Sequence, residues 1–153
     1  MKRLWLCAVL LAFTTTATAA DPFVGTYRLN VALSNISDTQ PVPLAATLTV
    51  SEESDNLVLA ISLQSSNCST LERTSTPKGG GLLRRVDRGD PRYDTVTVTR
   101  TNPTTIDFFR MKDGKEGVRS RYSLSDGRVL THAIKGTHPQ GQQMDRVMVF
   151  ERR

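Results

Sequence analysis

The side chains with which this sequence could do chemistry are few: His132, His138, Cys68, and carboxylates such as Asp107 and Asp145. A metal needs converging ligands, at spacings such as His-x-His or Cys-x-x-Cys. Neither spacing occurs, and no metal or other cofactor is expected. His132 shares an alternating face with Leu130 and Ile134, which reads as a packed or rim histidine. His138 stands before Pro139 in a turn and is expected in solvent. Cys68 would act as a nucleophile only with a base held beside it, so a buried or idle thiol is the simpler reading. Asp107 and Asp145 fall at outward positions and read as solubilising. No Gly-x-Ser-x-Gly elbow is present, and Gly79-Gly80-Gly81 lacks the helix and lysine of a phosphate-cradling loop. These residues do not add up to an enzyme.

The ends of the chain bound its class. Lys2 and Arg3 precede an apolar run of ten residues, Leu4–Phe13, and Ala17-Thr18-Ala19 fits a small-residue cleavage signal. Residues 1–19 therefore read as a secretory signal peptide. Export is expected, to the periplasm or the medium, with cleavage near Ala19. Ten apolar residues are too few to span a bilayer. Cys7 has almost no apolar segment before it, which argues against lipid anchoring there. Residues 20–153 are then 134 in number, enough for one domain with a single core. No later run is apolar enough for a membrane helix. Without Lys2 and Arg3, 18 basic residues face 15 acidic ones, a net charge of +3. Arg84, Arg85, Arg88 and Arg92 are interleaved with Asp87, Asp90 and Asp94, which is a mixed solvated hairpin rather than a nucleic-acid footprint. Cys68 has no second cysteine beyond the leader, so no internal disulfide can staple the fold. Asn35-Ile36-Ser37 and Asn67-Cys68-Ser69 match the short glycosylation pattern.

The elements that must position these residues are strands. Phe23, Gly25, Tyr27 and Leu29 alternate with Val24, Thr26, Arg28 and Asn30. Val31–Pro43 is a polar, proline-interrupted connection without helical periodicity. Leu44, Ala46, Leu48 and Val50 alternate next. A turn at Ser51–Asn56 leads to Leu57, Leu59 and Ile61 on one face. The pattern fades from Ser62 to Gly81, with a strand placed around Asn67–Thr74 and another over Leu82–Asp87. It sharpens from Asp94: Val96 and Val98 alternate with threonines, and Ile106, Phe108 and Phe109 give Thr105–Met111 apolar character on both faces. Asp113-Gly114 and Asp126-Gly127 are pairs that tolerate positive φ in tight hairpins. They bracket Val118, Ser120, Tyr122 and Leu124, and further strands over Val129–Lys135 and Gln143–Glu151 follow. No amphipathic helix is visible. The prediction is an all-β, antiparallel up-and-down meander of about 8–10 strands that closes into a barrel.

Phe23-Val24-Gly25-Thr26-Tyr27-Arg28-Leu29 resembles the first strand of the calycins, the lipocalins and fatty-acid-binding proteins, where Gly-x-Trp opens the barrel. Val149-Phe150-Glu151-Arg152 is similar to the last strand of the fatty-acid-binding group, and the opening also resembles small exported bacterial proteins of lipocalin-like shape. The departures are Tyr27 in place of tryptophan, no room for the two capping helices, and no Thr-Asp-Tyr motif. Met148 and Phe150 stand where the family holds a carboxylate-gripping arginine and tyrosine, so a fatty-acid site of that type is not implied. The resemblance implies a lipocalin-like barrel holding a small, mainly apolar ligand. Its expected lining is Tyr27, Leu29, Leu48, Leu59, Phe108, Tyr122, Met144, Arg146 and Met148. Arg146 lies among apolar neighbours and needs a partner. Lipocalins lay an arginine across the first-strand aromatic, so Arg146 is expected to pack on Tyr27 as a plug, the alternative being a ligand-facing arginine. The other functional reading is a filled barrel acting as a structural or protein-interaction module.

Overall fold

Apolar–polar alternation becomes a single antiparallel sheet in the computed structural model, which describes residues 20–36, 43–65, 69–77, 83–85 and 92–153. Among them run eleven strands: β1 (Gly25–Leu29), β2 (Asn35–Ile36), β3 (Ala45–Glu53), β4 (Asn56–Gln64), β5 (Ser69–Pro77), β6 (Leu83–Arg85), β7 (Thr95–Asn102), β8 (Thr105–Lys112), β9 (Lys115–Ser125), β10 (Val129–Thr137) and β11 (Gln143–Arg152). Their order across the sheet is β5-β4-β3-β1-β11-β10-β9-β8-β7-β6, with β2 added beside β11. The meander expected from the sequence is thus present, and its first and last long strands are neighbours. The leader read from residues 1–19, the Asn67 glycosylation pattern, Cys68, the glycines at 79–81, and Asp87, Arg88 and Asp90 of the charged hairpin lie outside the described residues.

Local chemistry sets the hairpins. Lys112 pairs with Lys115 around Asp113 and Gly114, whose φ values of 50° and 74° are those of a tight turn that matches strand twist. Asp126 and Gly127 also carry positive φ, 49° and 64°, between the paired residues Ser125 and Val129. Among the described residues the one helical turn is 3-10, over Val31–Leu33 in the polar connection after β1, capped by the Asn30 side chain.

One face of the curled sheet is the core. Phe23, Tyr27, Leu48, Leu57, Ile106, Leu130 and Phe150 are wholly buried there. The curl carries β7 round to the segment before β1. Arg100 Nη2 donates to Asp21 Oδ1 at 3.1 Å and its guanidinium lies 5.5 Å from the Phe23 ring centre. Leu44, expected on the inner face, is 67% exposed because β3 begins only at Ala45. Asp107 is not a solubilising surface group either: it is buried, accepting from Arg121 Nε at 2.7 Å and Thr101 Oγ1 at 2.9 Å. Burial pushes its carboxyl up, but those hydrogen bonds outweigh burial and hold it below the usual carboxylate range.

The expected Tyr27–Arg146 contact is corrected by the register. Tyr27 stands opposite Arg152 on β11. Arg146 lies six residues earlier, about 20 Å along the strand at ~3.3 Å per residue. The cation over Tyr27 is Arg152, 5.1 Å from the ring centre, and its Nη2 donates to Tyr27 Oη at 2.6 Å and to the Pro22 carbonyl at 2.6 Å. Tyr27 Oη in turn donates to the Phe23 carbonyl at 2.8 Å. Tyr27→Phe deletes the middle of this relay and is expected to destabilise by about 1–2 kcal/mol. Urea denaturation should show a lower midpoint at an unchanged slope.

Candidate functional site

Directly opposed residues of antiparallel strands share a face, so the register writes the interior as rows. One row runs Met148–His132–Tyr122–Ile106 across β11, β10, β9 and β8. The next is Arg146–Ile134–Ser120–Phe108, and the third Met144–Gly136–Val118–Arg110. Ile61 and Leu63 of β4, with Thr70 and Glu72 of β5, come round to face them. Together these strands surround a cavity of about 300 Å³ whose walls include Ile61, Leu63, Ile134, Met144, Met148, Arg110, Arg146, Glu72 and His132.

His132 is the unusual group in this space. Its ring stacks on Tyr122 with centres 3.9 Å apart and planes 12° from parallel, and Tyr122 meets Phe108 edge-on at 5.5 Å. Both imidazole nitrogens are buried and, among the described residues, neither has a hydrogen-bond partner; the Ser120 hydroxyl on the neighbouring row is in the same position. Burial, reinforced by the cations of Arg110 and Arg146, pushes the imidazole from 6.5 down to about 3. It is a neutral ring at any physiological pH. Burial also pushes the Tyr122 phenol upward, with Arg110 opposing weakly.

At one end of the cavity stand Arg92, Tyr93 and His138. His138 was expected in solvent but is 5% exposed, held by Tyr93 Oη at Nδ1 and by Arg92 Nη1 at Nε2, 3.2 Å away. A guanidinium only donates, so Nε2 accepts and Nδ1 carries the proton given to Tyr93 Oη. The Tyr93 ring can lie here because Gly117 has no side chain: a Cβ on Gly117 would stand 2.9 Å from Tyr93 Cε1. His138 therefore has both nitrogens committed, and among the described residues no three His, Cys, Asp or Glu side chains converge as a metal would require.

Of the nine lining residues expected from the sequence, Met144, Arg146 and Met148 border the cavity. Tyr27, Leu29, Leu48, Leu59, Phe108 and Tyr122 are packed into the core beside it, Tyr122 as the ring beneath His132. Arg110, Glu72, Arg92, Tyr93 and both histidines also line the cavity, and none of them belongs to the expected set. Arg110 was recoverable, since the alternation that turns Ile106 and Phe108 inward continues to it.

No protein-family model matches this chain, and no curated protein does. Solved structures do. The chain is similar to the REP1-NXSQ fatty acid transporter, 13% identical with a TM-score of 0.55 over 88% of this chain and 98% of that one. It is equally similar to the wild-type fluorescent protein UnaG, 14% identical with a TM-score of 0.56 over 88% of this chain and all of that one. At this identity the likeness is one of fold, and the fold is calycin-like.

Proposed function

We propose that this protein is an exported binding barrel that holds one small, mainly apolar molecule between β4–β5 and β8–β11, without catalysing a reaction. The observation that carries the reading is the cavity itself. At about 300 Å³ it sits at the lower bound of small-molecule sites, with thioether and aliphatic walls and a few placed polar groups. A filled interior would have no such space. The fold shared with a fatty acid transporter supports a carrier role, and the leader-like first nineteen residues support export.

A second reading rests on a different surface. Val31, Leu33 and Leu44 are 44%, 60% and 67% exposed, and Val31 and Leu44 border an outer crevice with Arg28 and Glu151. That apolar patch is what a protein-interaction module would present.

One titration separates the two. The purified protein is expected to enhance the fluorescence of 8-anilinonaphthalene-1-sulfonate with one-site saturation. Ile134→Trp, which pushes a large ring into the cavity, is expected to weaken that binding at least tenfold. Binding untouched by Ile134→Trp but removed by Leu44→Ser would place the probe on the outer patch and favour the second reading. No saturable binding at all would overturn the carrier.

A further inference from the structure

The cavity wall contains a feature that an apolar ligand alone does not explain. His132 presents a neutral imidazole, 5% exposed, with a donor and an acceptor that no described residue engages. A pure hydrocarbon occupying the cavity would leave both nitrogens dry, an unfavourable arrangement for groups that desolvate poorly. A cationic ligand would meet Arg92, Arg110 and Arg146 against the single carboxylate of Glu72, so the charge lining this space is mainly positive. A cavity of about 300 Å³ has room for a compact ring system. A flat, unsaturated body does suit the walls. Met148 stands across the strand pair from His132 and Met144 lies nearby, offering sulfur to a ring edge, and guanidinium groups favour aromatic faces.

Resting on the carrier reading above, we propose that His132 is the polar anchor of the cavity and that the ligand is a compact aromatic carrying an uncharged hydroxyl, a phenol-type molecule. Both nitrogens lie just beneath the cavity wall, so a small turn of the imidazole over Tyr122 brings one of them to the surface, where the hydroxyl donates to it. Arg110 and Arg146 favour the partial negative charge that the phenol oxygen gains in doing so. Because no described residue fixes the imidazole tautomer, the ring adapts its proton to whichever nitrogen the hydroxyl does not use.

The test uses two probes of nearly equal shape, 2-naphthol and 2-methylnaphthalene, measured by equilibrium dialysis against the whole protein. Wild type is expected to bind 2-naphthol at least tenfold more tightly. His132→Phe is expected to bring the two within twofold by losing 2-naphthol affinity while keeping 2-methylnaphthalene, and His132→Gln, which restores a donor and an acceptor, to recover part of the preference. The ¹⁵N signals of the His132 imidazole should move on adding 2-naphthol and stay put with 2-methylnaphthalene, a readout that needs no variant to fold. Equal affinity for both probes in wild type, a preference that survives His132→Phe, or imidazole signals indifferent to 2-naphthol would overturn the anchor and leave the carrier standing. Failure of both probes to bind, together with an absence of the saturable anilinonaphthalene-sulfonate signal, would overturn both.

Discussion

Between pH 7 and pH 5 the protein is expected to lose about 2 kcal/mol of stability through one residue, His132, and His132→Phe is expected to escape that loss. The sign follows from the two protonation equilibria. Unfolded, the imidazole takes up its proton near 6.5; folded, it resists protonation until about 3. Above 6.5 neither state is protonated and pH has no leverage. Below it the unfolded chain binds a proton that the folded chain does not, and each unit costs up to ~1.4 kcal/mol. Asp107 adds acid sensitivity of the same sign, because its carboxyl is held low in the fold, but only in the carboxylate range below about pH 4. Urea midpoints at pH 7, 6 and 5 for both proteins check this. At pH 7 the phenylalanine variant is expected to match or exceed wild type, since replacing an unpaired buried polar group by an apolar one of similar shape is neutral or favourable. A wild type no more acid-sensitive than the variant would show that the His132 nitrogens are satisfied in solution.

Gly136→Ala is expected to be the most damaging small substitution, at about 3 kcal/mol or more. Gly136 has φ +140°, and a Cβ there would lie 2.2 Å from the Gly117 carbonyl oxygen and 2.9 Å from Val118 Cα. The obstacle is backbone, which cannot rotate aside as a side chain can, so β9 and β10 must separate. The third interior row and the Tyr93–His138 corner rest on that contact, and the variant should also lose probe binding. Thermal denaturation together with the anilinonaphthalene-sulfonate titration measures both effects.

Which parts were legible in the sequence follows from what alternation encodes. Period two assigns a face, and it assigned Tyr27, Leu48, Val98, Tyr122 and Phe150 correctly to the interior. It does not encode register, which is why an arginine over Tyr27 could be anticipated while its identity could not: Arg146 and Arg152 lie on the same face of β11, and only strand pairing distinguishes them. His138 was misread because a residue before proline in a turn is ordinarily solvated, whereas here the turn folds back over Tyr93. Tyr93 itself sits one residue before the first clear alternation and so carried no pattern. That no described residue bonds the His132 imidazole is a matter of how several strands are placed in three dimensions, and no local spacing announces it.

The ends of the strand path have a consequence of their own. Among the described residues the ladder begins at β5 and finishes at β6, so each exposes a row of backbone amides that a stranger's strand could extend. Their compositions discourage it. β5 reads Ser-Thr-Leu-Glu-Arg-Thr-Ser-Thr-Pro, polar, charged and ending in a residue with no amide proton, and β6 is three residues long with two arginines. Margins built so discourage edge-to-edge pairing with further copies of the chain.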